Sequence, residues 1–316
     1  QGAVVYVPNV VEPSSLVGGL DAVAVPSMFT TDPTSGLQGE ILEAYRDNGL
    51  LVRQDGFLFH QGLRPDAEDS WPDGVEGSFN YGVSYFQDHA GALAVNKAYE
   101  DTVLGTGDHQ LKLPPELTRQ GIVAFEPAAP RGAGLVTQIW FATKGNAFLA
   151  IAGTGKLPLG ASRPDQLELF HTLEGALERE KPEPGPPLTE TQAATDYTDA
   201  VKAVNDSAPA FRTDAAAWNG TTTNQQAVAA AQPLAQAFDA VESKLVTTAG
   251  RYPPARPQLL GTVANVAVLE ADLADLARLD RIGVPAWLAR YDTDLAHLTT
   301  ASNQLRTTLG LPPTRS

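Results

Sequence analysis

The chain has 316 residues, 43% of them hydrophobic and 19% charged, with a formal charge of −15 and no cysteine. That length exceeds a typical single domain, and the composition supports buried cores and excludes a disordered chain. Without cysteine there is no disulfide, thiolate zinc site or cysteine nucleophile. An acidic field that no Lys/Arg cluster interrupts argues against nucleic acid as a partner.

In chain order, Ala3 to Val7 reads as a strand, and Leu37 to Asn48 as a helix whose Leu37, Ile41, Leu42 and Tyr45 share one face. Leu50 to Gln61 reads as a bent hairpin around Gln54-Asp55-Gly56, because Asp-Gly supplies the positive φ angles of a tight turn. After an acidic loop, Phe79 to Phe86 alternates Phe79, Tyr81, Val83 and Tyr85 on one face, as a half-buried strand does. Asp88 is placed to cap a helix from Ala90 to Leu104.

Strands follow at Gly121 to Phe125, Leu135 to Thr143 and Ala147 to Ala152, the last two joined by Lys144-Gly145-Asn146. Their nearly continuous apolar runs suit central strands covered on both faces. A helix from Pro164 to Glu180 closes this half with Leu167, Phe170, Leu173 and Leu177 turned to the sheet. The order predicts an α+β fold for residues 1–180, a largely antiparallel sheet with packed helices.

Residues 181–189 contain Lys181-Pro-Glu-Pro-Gly-Pro-Pro187, a proline-rich run expected to act as a semi-rigid linker. Residues 190–316 then carry four helical patterns: Glu190 to Trp218, Thr223 to Thr248, Pro257 to Ile282 and Pro285 to Leu309. Short connections predict an antiparallel four-helix bundle. Pro209 and Pro233 fall inside two of these helices, where each removes a hydrogen bond and predicts a local kink. Residues 1–180 carry 23 acids and 11 bases and residues 181–316 carry 14 and 11, so the charge sits mainly on the first half.

Chemical motifs are sparse. Ala150 to Lys156 follows a strand and ends in Gly-Lys, but it lacks the first glycine and the closing hydroxyl of a phosphate loop. No cofactor is expected. Asp66, Glu68, Asp69, Asp73 and Glu76 could offer oxygen ligands to a hard cation such as calcium, though their spacing is not that of an EF-hand and a solvated acidic loop is the preferred reading. The five histidines His60, His89, His109, His171 and His297 form no helical metal pair. Asp108-His109 has no serine partner in reach of the sequence, and there is no nucleophile elbow. In the bundle, Trp218, Trp287, Tyr197, Tyr252 and Tyr291 read as core and cap packing, and Asp272, Asp275 and Asp280 as a solvated face.

The two apolar hairpin strands from Val136 to Ala152, followed by the amphipathic helix from Pro164 to Glu180, resemble the PsbP-like domains of actinobacterial envelope lipoproteins. The resemblance spans at most residues 35–180 and has no diagnostic motif. It implies a non-catalytic accessory or binding role at the outer face of a membrane, and carries over no site residue.

The chain begins at Gln1 and its one methionine is Met28, which leads us to expect an upstream segment removed on export. No apolar run reaches the roughly 20 residues that span a bilayer, so any membrane tether is expected upstream of Gln1. The expected function is therefore that of an extracellular or cell-envelope protein, lipid-anchored if a tether lies upstream, that binds a protein partner or an apolar small ligand without catalysis. Two alternatives stand beside it: a hydrolase assembled in space from His60, His89 or His109 and carboxylates, and a structural subunit whose bundle docks onto a membrane-associated complex.

Overall fold

The computed structural model describes residues 4–11, 20–22, 28–60, 63, 68, 71–72, 76–126, 134–156, 164–179, 185–219, 221–278 and 284–314. The chain forms two compact units, residues 1–6 with 10–179 and residues 7–9 with 180–316.

The first unit is α+β. In order, the chain up to residue 179 contains β1 (Tyr6–Val7), β2 (Leu20–Ala22), β3 (Met28–Thr30), α1 (Gly39–Asp47), β4 (Leu50–His60), β5 (Glu76–Phe86), α2 (His89–Gly105), β6 (His109–Gln110), α3 (Pro115–Arg119), β7 (Val123–Glu126), β8 (Leu135–Lys144), β9 (Ala147–Lys156), α4 (Pro164–Ala176) and β10 (Glu178–Arg179). The main sheet runs β2-β4-β5-β9-β8-β7-β6, with β3 also on β4, and its pairs are antiparallel. A separate two-stranded ladder joins β1 and β10.

The expected hairpin at Gln54-Asp55-Gly56 does not form. Leu50–His60 is one strand, with Asp55 opposite Met28 on one side and Gly82 on the other. Ladders on both sides outweigh a local turn preference. Gly56 is needed for another reason: a Cβ there would lie 2.2 Å from the Tyr81 ring, which crosses the backbone at that point. The expected alternation in β5 does occur, since Phe79, Tyr81, Val83 and Tyr85 are all buried. So does the cap, with Asp88 Oδ1 accepting from Gly91 N at 2.9 Å. Gly145, at φ +54°, turns β8 into β9.

Helices cover the two faces of the sheet unequally. On one face α1 and α2 pack Tyr45, Ala92, Val95 and Val103 against Phe86, Phe125, Phe141 and Phe148. On the other, α4 buries Leu169, Phe170 and Leu173, and the Gln166 side chain sits over Gly153, donating to the Gln138 carbonyl at 3.0 Å. A leucine, isoleucine or phenylalanine side chain fully buried in such a core contributes about 1.5–3 kcal/mol.

The second unit is α5 (Glu190–Ala216), α6 (Asn224–Arg251), α7 (Arg256–Asp275) and α8 (Val284–Thr308). Capping boxes at Thr189 with Gln192 and at Thr223 with Gln226 start the first two. Both of these helices continue through their interior prolines, Pro209 and Pro233. The third ends at Asp275, short of the Ile282 that periodicity suggested, with Leu276 N bonding back to Leu273 O in a tightened turn. Large aromatic side chains fill the seam between α5 and α8: Phe211 meets Tyr291 at 5.5 Å between ring centroids, and Trp287 stacks on Tyr291 at 5.2 Å.

Of the expected linker, residues 181–184 lie outside the described residues. Gly185 to Thr189 is strapped to the end of α6: the Arg251 guanidinium donates to Pro186 O, and Leu188 N donates to Arg251 O at 2.9 Å.

Candidate functional site

The sheet face carrying α1 and α2 is open across its middle. Along β5 only Asn80 and Gly82 are not buried, and Asn80 is exposed although its strand is paired on both sides. The half-buried positions of the neighbouring strands fall in register with it. Phe57, Asn80, Ala152 and Ile139 make one row across β4, β5, β9 and β8, and Asp55, Gly82 and Ala150 belong to the next row. Thr154, half-buried in the row beyond, bonds to Thr137 across the strands at 2.9 Å between hydroxyls.

Coverage is restored at both ends of this band. The row Arg53, Ser84, Phe148 and Thr143 lies toward α1 and α2. At the other end Trp71 and Leu63 close over Phe59 and Leu135, the Trp71 indole resting where a Cβ of Gly77 would be. The result is a groove that crosses the strands. Adjacent strands lie about 4.8 Å apart and successive same-face residues about 6.8 Å apart, so the row from Phe57 to Ile139 is about 14 Å long, while the second row stops at Ala150 because its β8 member, Phe141, is buried in the core under α1 and α2. Its centre is built of Gly82, Ala150 and Ala152, which leave depth where larger residues would fill it.

Among the described residues one charged side chain, Asp55, reaches the floor. Asp55 keeps 41% of its side chain exposed, whereas its partner Arg53 is 1% exposed, with Nε 2.6 Å from Asp55 Oδ2. Arg53 is anchored from the α1 side, donating through Nη2 to Ser35 O and standing 5.7 Å over the Tyr45 ring. Burial pushes the Asp55 carboxyl above its ordinary range, and the Arg53 charge pulls it back part of the way. Gly82 makes room for this carboxylate, since a Cβ there would sit 3.2 Å from Asp55 Oδ1. Behind the pair, Tyr45 and Ser84 hydroxyls bond at 2.9 Å and Tyr99 bonds to Tyr45. Burial raises both phenols, leaving them protonated donors.

The residues singled out by sequence are scattered. Asp66, Asp69 and Asp73 lie outside the described residues, and Glu68 is exposed in a short 3-10 turn. Glu76 is no loop residue: it opens β5, buried, and accepts from Gln166 N at 3.3 Å. Among the described residues no three His, Asp or Glu side chains are arranged to hold a metal ion.

His60 ends β4 and His109 lies in β6, five strand steps away, about 24 Å at ordinary strand spacing. His89 starts α2 just past the far end of β5, with Nδ1 2.6 Å from Gly145 O. These three histidines occupy three separate corners and share no cleft. Ala150 to Lys156 belongs to strand β9, with no phosphate-binding loop.

In the bundle, Asp272 corrects the expected solvated face. It is 4% exposed and accepts from Arg290 Nε at 2.7 Å, while its main-chain oxygen takes the Trp287 indole N–H at 2.8 Å. Burial pushes its carboxyl up to about 7, with Arg290 opposing and buried Asp294, its hydrogen-bonded neighbour on α8, adding to the rise. On the other side of α7, burial lifts Glu270 to about 9, helped by hydrogen-bonded Glu242 and Asp239 of α6. Asp280 lies outside the described residues. Val228 is the one large apolar side chain of the described bundle residues that is exposed. No described helix is long and apolar enough to cross a membrane.

The groove was missed because the signals that mark it are small residues. Gly82, Ala150 and Ala152 read as strand filler in isolation, and Asp55-Gly56 read as a turn. The available hint was that β9 alternates large and small residues, with Phe148, Leu149 and Ile151 among Ala150, Ala152 and Gly153.

No protein-family model matches the chain, and no curated protein matches it. Among solved structures it is similar to the extracellular domain of PknH from Mycobacterium tuberculosis, at 11% identity and a TM-score of 0.31, over 49% of this chain and 81% of that one. A crystal structure from Bacteroides thetaiotaomicron VPI-5482 is similar at 12% identity and a TM-score of 0.20, over 68% of each chain. Likenesses this loose assign no function.

Proposed function

We propose that this chain is an exported, cell-envelope binding protein that holds a small, largely apolar ligand in the groove across its antiparallel sheet, without catalysing a reaction on it. One observation carries the reading: Asn80, in the middle of a strand paired on both sides, is exposed on a floor of glycine and alanine. Open central sheet surface of this kind is costly to leave wet, because Phe57, Ile139 and the alanines gain about 25 cal/mol for each Å² an occupant covers. The expected PsbP-like accessory role fits a binding site of this type and remains part of the proposal. A cysteine-free chain also has no thiol to misoxidise outside the cytoplasm.

The test is retention of small molecules. The full chain, incubated with an organic extract of bacterial envelopes and washed, is denatured and its released compounds are identified by mass spectrometry. The reading predicts compounds retained by the parent chain and lost in Ala152→Phe, which fills the floor. Retention of nothing, or equal retention by the filled variant, would overturn it.

A further inference from the structure

The groove has one charged end, and that end specifies a ligand class. Asp55 brings its carboxylate to the floor at the β4 side, with Oδ2 held by the buried Arg53 guanidinium and Oδ1 turned toward the space that Gly82 leaves free. Arg53 itself is 1% exposed, so a ligand on the floor meets the carboxylate and not the guanidinium. Among the described strand residues, Lys156, another charged side chain on the same face, lies three rows along β9 from Ala150, about 20 Å away. From Asp55 the floor continues through Ala150, Ala152 and Ile139, which offer no hydrogen bond from their side chains, with Phe57 and the amide of Asn80 beside them. Residues 1–180 carry a net charge of −12, a field that concentrates cations and repels anions.

We propose that the groove takes a primary amine with an apolar ring or short alkyl body, its ammonium donating to Asp55 Oδ1 and its body lying over Ala150 and Ala152 against Phe57 and Ile139. This rests on the groove being the binding site. An ammonium within hydrogen-bond reach of a carboxylate already oriented by Arg53 forms a charge-assisted bond without reorganising the protein. The aromatic edge of Phe57 and the small-residue floor accept a ring about 7 Å wide, the separation of two same-face rows.

The experiment is a titration of the full, isotope-labelled chain with 2-phenylethylammonium, 2-phenylethanol and 3-phenylpropionate, followed by the backbone amides of Gly82, Ala150 and Ala152 and the side-chain amide of Asn80. The expected result is saturable shifts in those four groups with the amine, at an affinity about tenfold or more above the alcohol and the acid, the size of one charge-assisted hydrogen bond. Asp55→Asn is expected to bring the amine down to the alcohol's affinity. Because that variant leaves Arg53 without its counter-ion, the three-ligand comparison on the parent chain decides the matter if the variant does not fold. Equal or stronger binding of the alcohol or the acid at these groups overturns the amine assignment and leaves the groove standing. Shifts elsewhere, or none with any of the three, overturn the groove as the site.

Discussion

Asp55 and Gly56 form a dipeptide that favours hairpin turns, yet here they are successive positions of one strand, with different tasks on opposite faces. Asp55 brings a carboxylate to the groove, and Gly56 lets the Tyr81 ring lie against the backbone. Gly56→Ala is therefore expected to force that ring aside and destabilise the first unit by about 1–3 kcal/mol, measured by urea unfolding. Asp55→Ala strands the Arg53 guanidinium in the interior and is expected to cost about 3 kcal/mol or more, whereas the double change with Arg53→Met recovers much of the loss. At this scale the sequence was legible where side chains speak for themselves: the Asp88 cap and the buried row Phe79, Tyr81, Val83 and Tyr85 follow from local rules. It was opaque where a residue's role is set by a strand far along the chain, as at Asp55, whose neighbours Met28 and Gly82 come from other elements.

The helix α7 shows how much an amphipathic pattern leaves open. Its start and its leucine row were readable from period, but its end at Asp275 was not, and Asp272, read as part of a solvated face, is drawn inward with Glu270 by neighbours on α6 and α8. Asp272 faces Asp294, Arg290 and, through Asp294, His297, whose Nδ1 is 3.7 Å from Asp294 Oδ1; Arg290 also reaches Asp275 at 2.6 Å. A carboxyl whose pKa is higher in the folded than in the unfolded chain binds more protons when folded, so its contribution is complete below the unfolded value and lost as pH rises. For Asp272 the loss runs from about pH 4 to about 7, and for Glu270 from about 4.5 to about 9. The bundle is thus expected to lose stability steadily from pH 5 to 9, read from its helical circular dichroism in urea. Asp272→Asn, which supplies the donor that a protonated carboxyl would, is expected to flatten the lower part of that slope and to stabilise the bundle at pH 8 by about 1 kcal/mol.

Over the whole molecule, two compact units each have their own apolar interior, one around Phe86, Phe141 and Phe148, the other around Leu245, Val263 and Leu269. Hydrogen exchange followed by mass spectrometry in rising urea is expected to release strands β4, β5, β8 and β9 in one step and helices α5 to α8 in another, with the second step moved by pH between 5 and 9 through Asp272 and Glu270. A single step shared by all of these elements would mean that the interiors are not separate. The proposed binding role depends on the first unit alone, and its core is that the middle of the sheet is open to solvent. The lack of native cysteine makes this directly measurable, because one introduced thiol is the only one in the chain. In Asn80→Cys, a small aqueous thiol reagent is predicted to react with the folded protein at nearly the rate of an unfolded control. In Ala142→Cys, on the buried face of β8, it is predicted to react only on unfolding. Equal protection of the two thiols in the folded chain would contradict an open groove.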